Sequence, residues 1–163
     1  IDFVEAQLEI DPNLHIYHFS PYETVALKRL VSKYAVKENE LDNFLRSELF
    51  VDLHSVFKQA VRAGVEKYSL KDLEPLHGFE RAINLQDLSK QKSMLEFLLE
   101  SGQLEEIPDE IINTVERYNE EDCRSTASIH TWLERVRASN FPDLERPVSK
   151  FVEPEQLNDF QTV

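Results

Sequence analysis

The sequence predicts an α/β fold that is helix-rich, with few strands, and those parallel. Three observations carry this. Two short runs, residues 15–19 and 49–53, are rich in aromatic and β-branched side chains and read as strands. The stretch between them has helical patterning, and a strand–helix–strand order implies parallel pairing. After the second run the patterning is helical as far as about residue 139.

Residues 1–9 place apolar side chains at 1, 4 and 8, with Phe3 beside them, and Asp11-Pro12-Asn13 ends that helix. Residues 15–19 form the first strand. Ser20-Pro21-Tyr22-Glu23 then reads as a helix start, with a serine to cap, a proline for the first position and an acid in the first turn. This helix is expected to reach about Tyr34, with Glu23, Leu27, Leu30 and Tyr34 as its inner stripe. Residues 39–45 read as a short helix and 49–53 as the second strand. A helix over 55–63 follows, with Gly64 at its C′ position. Residues 69–73 look like one capped turn that stops before Pro75, and Gly78 marks a loop. Leu85, Leu88, Met94, Leu95, Leu98 and Leu99 suggest a further helix, interrupted near residues 90–92. The longest helix opens at Pro108 and ends near Ala138 or Ser139. Phe141-Pro142, Pro147 and Pro154 then break the pattern. Residues 1–139 therefore read as one domain and 140–163 as a linker or tail.

The chain's 163 residues suit a single domain, and an apolar content of 41% is ordinary for a globular one. No run approaches the roughly 18 apolar residues of a membrane span, so no membrane partner is expected. The one cysteine, Cys123, cannot form an internal disulfide, which makes a cytoplasmic protein the expectation. No glycine-rich phosphate loop occurs, so the chain is no ATPase by itself. The net charge of −13 argues against an independent nucleic-acid binder unless metal ions or neighbouring domains supply positive field. The sequence opens at Ile1, and two strands alone make a poor sheet. The expectation is a piece of a longer protein that lacks the first strands of its domain, with exposed sheet edges through which two copies could pair as a homodimer.

The last helix holds the most informative feature. Ile111, Val115, Tyr118, Asp122, Thr126, Ile129, Leu133 and Val136 share one face, and Asp122 is a carboxylate in that otherwise largely apolar stripe. A buried acid without partners costs several kcal/mol. Asp122 must therefore be either a hydrogen-bonded structural acid or a metal ligand or acid/base group. Arg124 and Arg135 lie too far round the helix to be its obvious partners. Tyr118 is four residues earlier on the same face, where its hydroxyl could orient a water beside the acid. Glu23, just past a strand end, is the second candidate, because parallel α/β folds place chemistry there. Its plainer role is to stabilise the helix dipole.

The other titratable residues offer less. His15 and His18 are three apart, so on a strand they point to opposite faces and do not make a metal pair. His18 is either a packed strand histidine or a substrate contact. His54, His77 and His130 share no metal-ligand spacing, and Cys123 has no base beside it. Asp72 and Asp87 read as turn or helix-start acids.

His18-Phe19-Ser20-Pro21-Tyr22-Glu23 resembles the second motif of proofreading-type, ribonuclease-H-like 3′–5′ exonucleases, commonly Asn-x-x-x-Phe-Asp. His18, Tyr22 and Glu23 each depart from that pattern. Tyr118-Asn119-Glu120-Glu121-Asp122 resembles the third motif, Tyr-x-x-x-Asp. Four strings in order, at 22–30, 50–53, 68–75 and 118–126, are also similar to the ribonuclease-H-like domain of a bacterial RecB-type nuclease family. The resemblance covers roughly residues 15–138. It implies two-metal hydrolysis of phosphodiester bonds, with Mg²⁺ or Mn²⁺ ions about 4 Å apart. Glu23 and Asp122 would be metal ligands, Tyr118 would orient the nucleophile, and His18 and Tyr22 would meet substrate. The family's first motif, Asp-x-Glu on an early strand, has no counterpart here, so the two-metal site would be incomplete in this chain. Asp52 either caps the helix after the second strand or stands in for a metal ligand that the resemblance implies and the chain lacks. The resemblance further implies a DNA or RNA 3′ end as partner, a DNA-repair setting, a RecB-like nuclease region upstream and a superfamily 1 helicase downstream.

Two readings of function follow. One is a metal-dependent nuclease domain, in which Glu23 and Asp122 are expected to converge on one cation. The other is a catalytically silent scaffold or docking domain, in which backbone groups or an arginine satisfy Asp122. An unrelated helical regulatory domain is the weakest reading.

Overall fold

A computed structural model describes residues 1–82 and 85–144, the side chains of residues 85–87 excepted. Two compact units divide the described residues, 1–55 with 141–144 and those within 56–140. The expected tail, but for its first residues, and the side chain of Asp87 lie outside the described residues.

In the first unit, α1 (Asp2–Ile10) leads to β1 (Ile16–His18), α2 (Tyr22–Tyr34), α3 (Glu38–Arg46) and β2 (Phe50–Asp52). The strands pair in parallel, with Ile16 opposite Phe50, Tyr17 opposite Val51 and His18 opposite Asp52. The α/β class and the parallel pairing are as the sequence predicts. Each strand is only three residues long. Val31, Leu41, Phe44, Leu49 and Leu53 are the buried apolar side chains. Lys37 ties α1 to α3 through Asp2 at 2.8 Å, Glu5 at 3.0 Å and Glu40 at 3.3 Å.

Two local expectations fail here. The Ser20 side chain does not cap α2; Pro21 holds the cap position, and Ser20 takes a left-handed backbone with φ of 78°. The inner side of α2 is Thr24, Leu27 and Val31, whereas Glu23, Leu30 and Tyr34 are exposed. Both stripes contain Leu27 and both have helical spacing, so periodicity alone could not choose between them. Packing of α2 against α3 decides it.

The unit boundary falls within α4 (Leu53–Ala60), which begins as soon as Asp52 ends the second strand. α4 is shifted from the expected 55–63, so Gly64 is not its C′ residue; the Tyr68 hydroxyl accepts from the Ala63 N–H at 3.0 Å instead. The second unit continues with α5 (Leu70–His77), α6 (Leu85–Glu100), a 3₁₀ turn (Leu104–Glu106) and α7 (Asp109–Asn140). α5 and α6 both pack on α7. Phe57, Leu73, Leu88, Leu98, Ile111, Ile129 and Leu133 form the core, with Phe57 stacked on Trp132 at 6.0 Å between ring centroids. α5 runs through Pro75 instead of stopping before it. A Ser69 cap and the burial of Leu73, Glu74 and His77 offset the hydrogen bond that proline removes.

Candidate active site

Two groups of polar residues are built by these elements, one in each unit. The first lies at the carboxyl ends of the paired strands. His18 and Asp52 are register partners there. The His18 side chain is 7% exposed, and its Nδ1 donates to the Ser20 carbonyl at 2.7 Å. That fixes the tautomer, because a carbonyl can only accept. The same nitrogen is 3.6 Å from Glu23 Oε2. Phe50 meets the His18 ring edge-on at 6.1 Å.

Asp52 uses both its oxygens. Oδ1 accepts from the Ser20 N–H at 2.9 Å and the His54 N–H at 3.0 Å, and Oδ2 accepts from the Ser55 hydroxyl at 2.7 Å. It caps α4 and anchors the β1–α2 turn in one move. Burial pushes the Asp52 carboxyl up, but the hydrogen bonds from Ser55, Ser20 and His54, with His18 nearby, outweigh burial and hold it below its ordinary value. Glu23 stands at the start of α2 with its side chain 51% exposed, and Tyr22 projects to solvent.

The second group is centred on Arg81. Its Nε and Nη2 donate to Glu74 Oε1 at 2.8 and 2.6 Å, and Nη2 also donates to Asp122 Oδ1 at 2.7 Å. One guanidinium nitrogen thus bridges two carboxylates. Ser125, fully buried on α7, adds a hydrogen bond to the same Glu74 oxygen at 2.9 Å. The Arg81 guanidinium lies over the Tyr118 ring at 5.2 Å, and Lys71 Nζ lies 5.1 Å from the same ring centre. The Arg81 side chain is 7% exposed and that of Asp122 38%. Burial pulls the Arg81 pKa down, but the two carboxylates prevail and raise it, so the arginine keeps its charge.

Tyr118 and Asp122, paired from their spacing on α7, are thus brought together around Arg81. Asp122 is satisfied by an arginine, the arrangement expected of a scaffold. Glu23 belongs to the first unit and Asp122 to the second. Sequence reasoning missed Arg81, Glu74 and Ser125. Arg81 sits in a loop with no periodicity to mark it. Ser125 did leave a signal: it is seven residues past Tyr118 and three past Asp122, on the same face of α7.

Metal ligation needs several oxygen or nitrogen donors converging on one point. Among the described residues, no group of three His, Cys, Asp or Glu side chains is placed to hold a metal ion. Asp52 is committed to the turn and the cap, and Asp122 to Arg81. The described residues do not by themselves supply the ligand set of a two-metal site. No helix among them is long and apolar enough to cross a membrane.

No curated protein and no solved structure matches the chain. The family RNase_H_2, described as RNase_H superfamily, matches residues 1–134. That span takes in the parallel strand pair, the turn after it and α7 through Asp122, so the chain belongs to the RNase H superfamily and carries a nuclease-type domain of that kind.

Proposed function

We propose that this chain is the ribonuclease-H-like nuclease domain of a larger nuclease–helicase protein. In that setting it takes part in divalent-metal-dependent hydrolysis of phosphodiester bonds, as a 3′–5′ exonuclease on DNA or RNA. The observation that supports it, beside family membership, is the pairing of Tyr118 with Asp122 around Arg81 on the inner face of α7. A fixed carboxylate one turn from a tyrosine suits the handling of an attacking water. Glu23 at the strand–helix junction is the second acid of this reading, and Mg²⁺ or Mn²⁺ the expected cofactor. Because the described residues do not complete a ligand set, this chain alone is expected not to cleave.

Asp122→Asn in the longer protein is expected to abolish exonuclease activity while the fold persists. Digestion of 3′ ends at the wild-type rate would refute the assignment. Tyr118→Phe is expected to lower kcat more than it raises KM.

One observation favours a second reading. A guanidinium already neutralises Asp122, as a silent scaffold requires. Calorimetric titration of the longer protein with Mn²⁺ separates the two. Binding lost in Asp122→Asn supports the nuclease; equal binding in both proteins supports the scaffold.

A further inference from the structure

The inner side of α2 is Thr24, Leu27 and Val31, the first two half-buried and Val31 buried. At 3.6 residues per turn, the side diametrically opposite is Tyr22, Val25, Arg29 and Lys33. All four are exposed, Tyr22 at 77% and Val25 at 59%. The charge of this helix runs against that of the chain. Lys28, Arg29 and Lys33 stand against one acid, Glu23, giving 3 − 1 = +2 on α2 where the whole chain carries −13. Residues 1–55 hold two further cations, Lys37 and Arg46, and acids pair with both. The three on α2 have no carboxylate partner among the described residues; Lys33 only lies over the Tyr34 ring at 5.3 Å.

We propose that this outer face of α2 carries a single strand of nucleic acid, with Arg29 and Lys33 on its phosphates and Tyr22 stacked under a base. The proposal rests on the nuclease reading and gives the strand its route. Unpaired cations beside exposed aromatics are what single-strand grooves use, because every base has a face to stack and every nucleotide a phosphate. Tyr22 to Lys33 spans about 16 Å along the helix axis, room for a few nucleotides. The acidic remainder of the chain repels a polyanion, which confines the strand to this stretch. An acidic protein surface would satisfy the cations and leave Tyr22 without a role; a nucleotide uses both.

The test is fluorescence anisotropy of the chain with a labelled oligothymidylate of about 12 nucleotides. Excess EDTA keeps binding apart from cleavage. Arg29→Glu/Lys33→Glu is expected to weaken binding at least about tenfold at low salt and to flatten the dependence on salt, by roughly 0.7 in logarithmic slope for each phosphate no longer neutralised. Tyr22→Ala is expected to weaken binding about fivefold or more with the salt slope unchanged. All three side chains are on the surface, and circular dichroism verifies that the variants fold. Equal affinity of wild type and charge-reversed variant would overturn the proposal, as would failure of the wild type to bind at low salt. Wild-type self-association that disappears in the variant, measured by sedimentation without oligonucleotide, would give the face to a second copy instead. Strand binding through this face in a protein that never cleaves would sink the nuclease reading and leave this one standing. Cleavage in the longer protein that is indifferent to these substitutions would do the reverse.

Discussion

Arg81 is where a single side chain holds most. The Glu74 carboxylate, almost wholly buried, relies on it for two of the three hydrogen bonds it accepts among the described residues, and Asp122 relies on it for charge compensation. Removing one partner of a buried pair leaves the other charge uncompensated, at a cost of about 3–5 kcal/mol. Arg81→Met should therefore lower the urea midpoint sharply. Glu74→Leu combined with Arg81→Met should recover much of that loss, because both buried charges are then gone. A double variant no more stable than Arg81→Met would show that lost packing, and not an orphaned acid, is the cause.

At the scale of elements, capping and burial set the boundaries. Ser69 accepts from the Asp72 N–H at the start of α5, and Gly78, with φ of 71°, ends it. Ser69→Ala should cost about 1 kcal/mol in thermal unfolding, with little change elsewhere. A shift within error would mean that packing on α7 alone holds α5. Neighbouring helices differ in how much of them the sequence could tell. α7 was legible almost to the residue, because its inner stripe persists for eight positions and the chain after it is proline-broken. α6 was expected to break near residues 90–92 but is continuous. Gln91 lies on its inner side with Leu88, Leu95 and Leu98, and a polar residue there mimics an interruption. The strand pair was legible in type and pairing; its three-residue length was not, since pairing length depends on neighbours. In the site, Tyr118 and Asp122 were readable from helical spacing. Arg81 was not, because a loop residue that reaches a helix across 41 positions leaves no pattern in one dimension.

For the whole molecule, stability should depend on pH through groups in both units. Asp52 is held below its ordinary value by the hydrogen bonds it accepts. Burial likewise depresses His77, and the nearby Glu74 only partly offsets it; its Nδ1 meets the Ser128 hydroxyl at 2.9 Å. A depressed group binds protons more readily unfolded than folded. The stability it contributes is therefore complete above its unfolded value, about 6.5 for histidine and 3.9 for aspartate, and is lost as pH falls through its folded value. The urea midpoint should thus decline below about pH 6.5 and again in the acid range. His77→Gln should flatten the first decline alone. An unchanged profile in that variant would remove His77 from the account.

The left-handed turn at Ser20 has a consequence for which sequences this fold can accept. Its N–H and C=O are bound by Asp52 and His18, so both roles belong to the main chain, and its hydroxyl is not what caps α2. Selection at position 20 should then follow handedness and not chemistry. In a saturation library scored for soluble folded protein, glycine, asparagine and aspartate should survive together despite their differing side chains. Valine and isoleucine, which carry a penalty of about 1–2 kcal/mol in that backbone conformation, should be depleted.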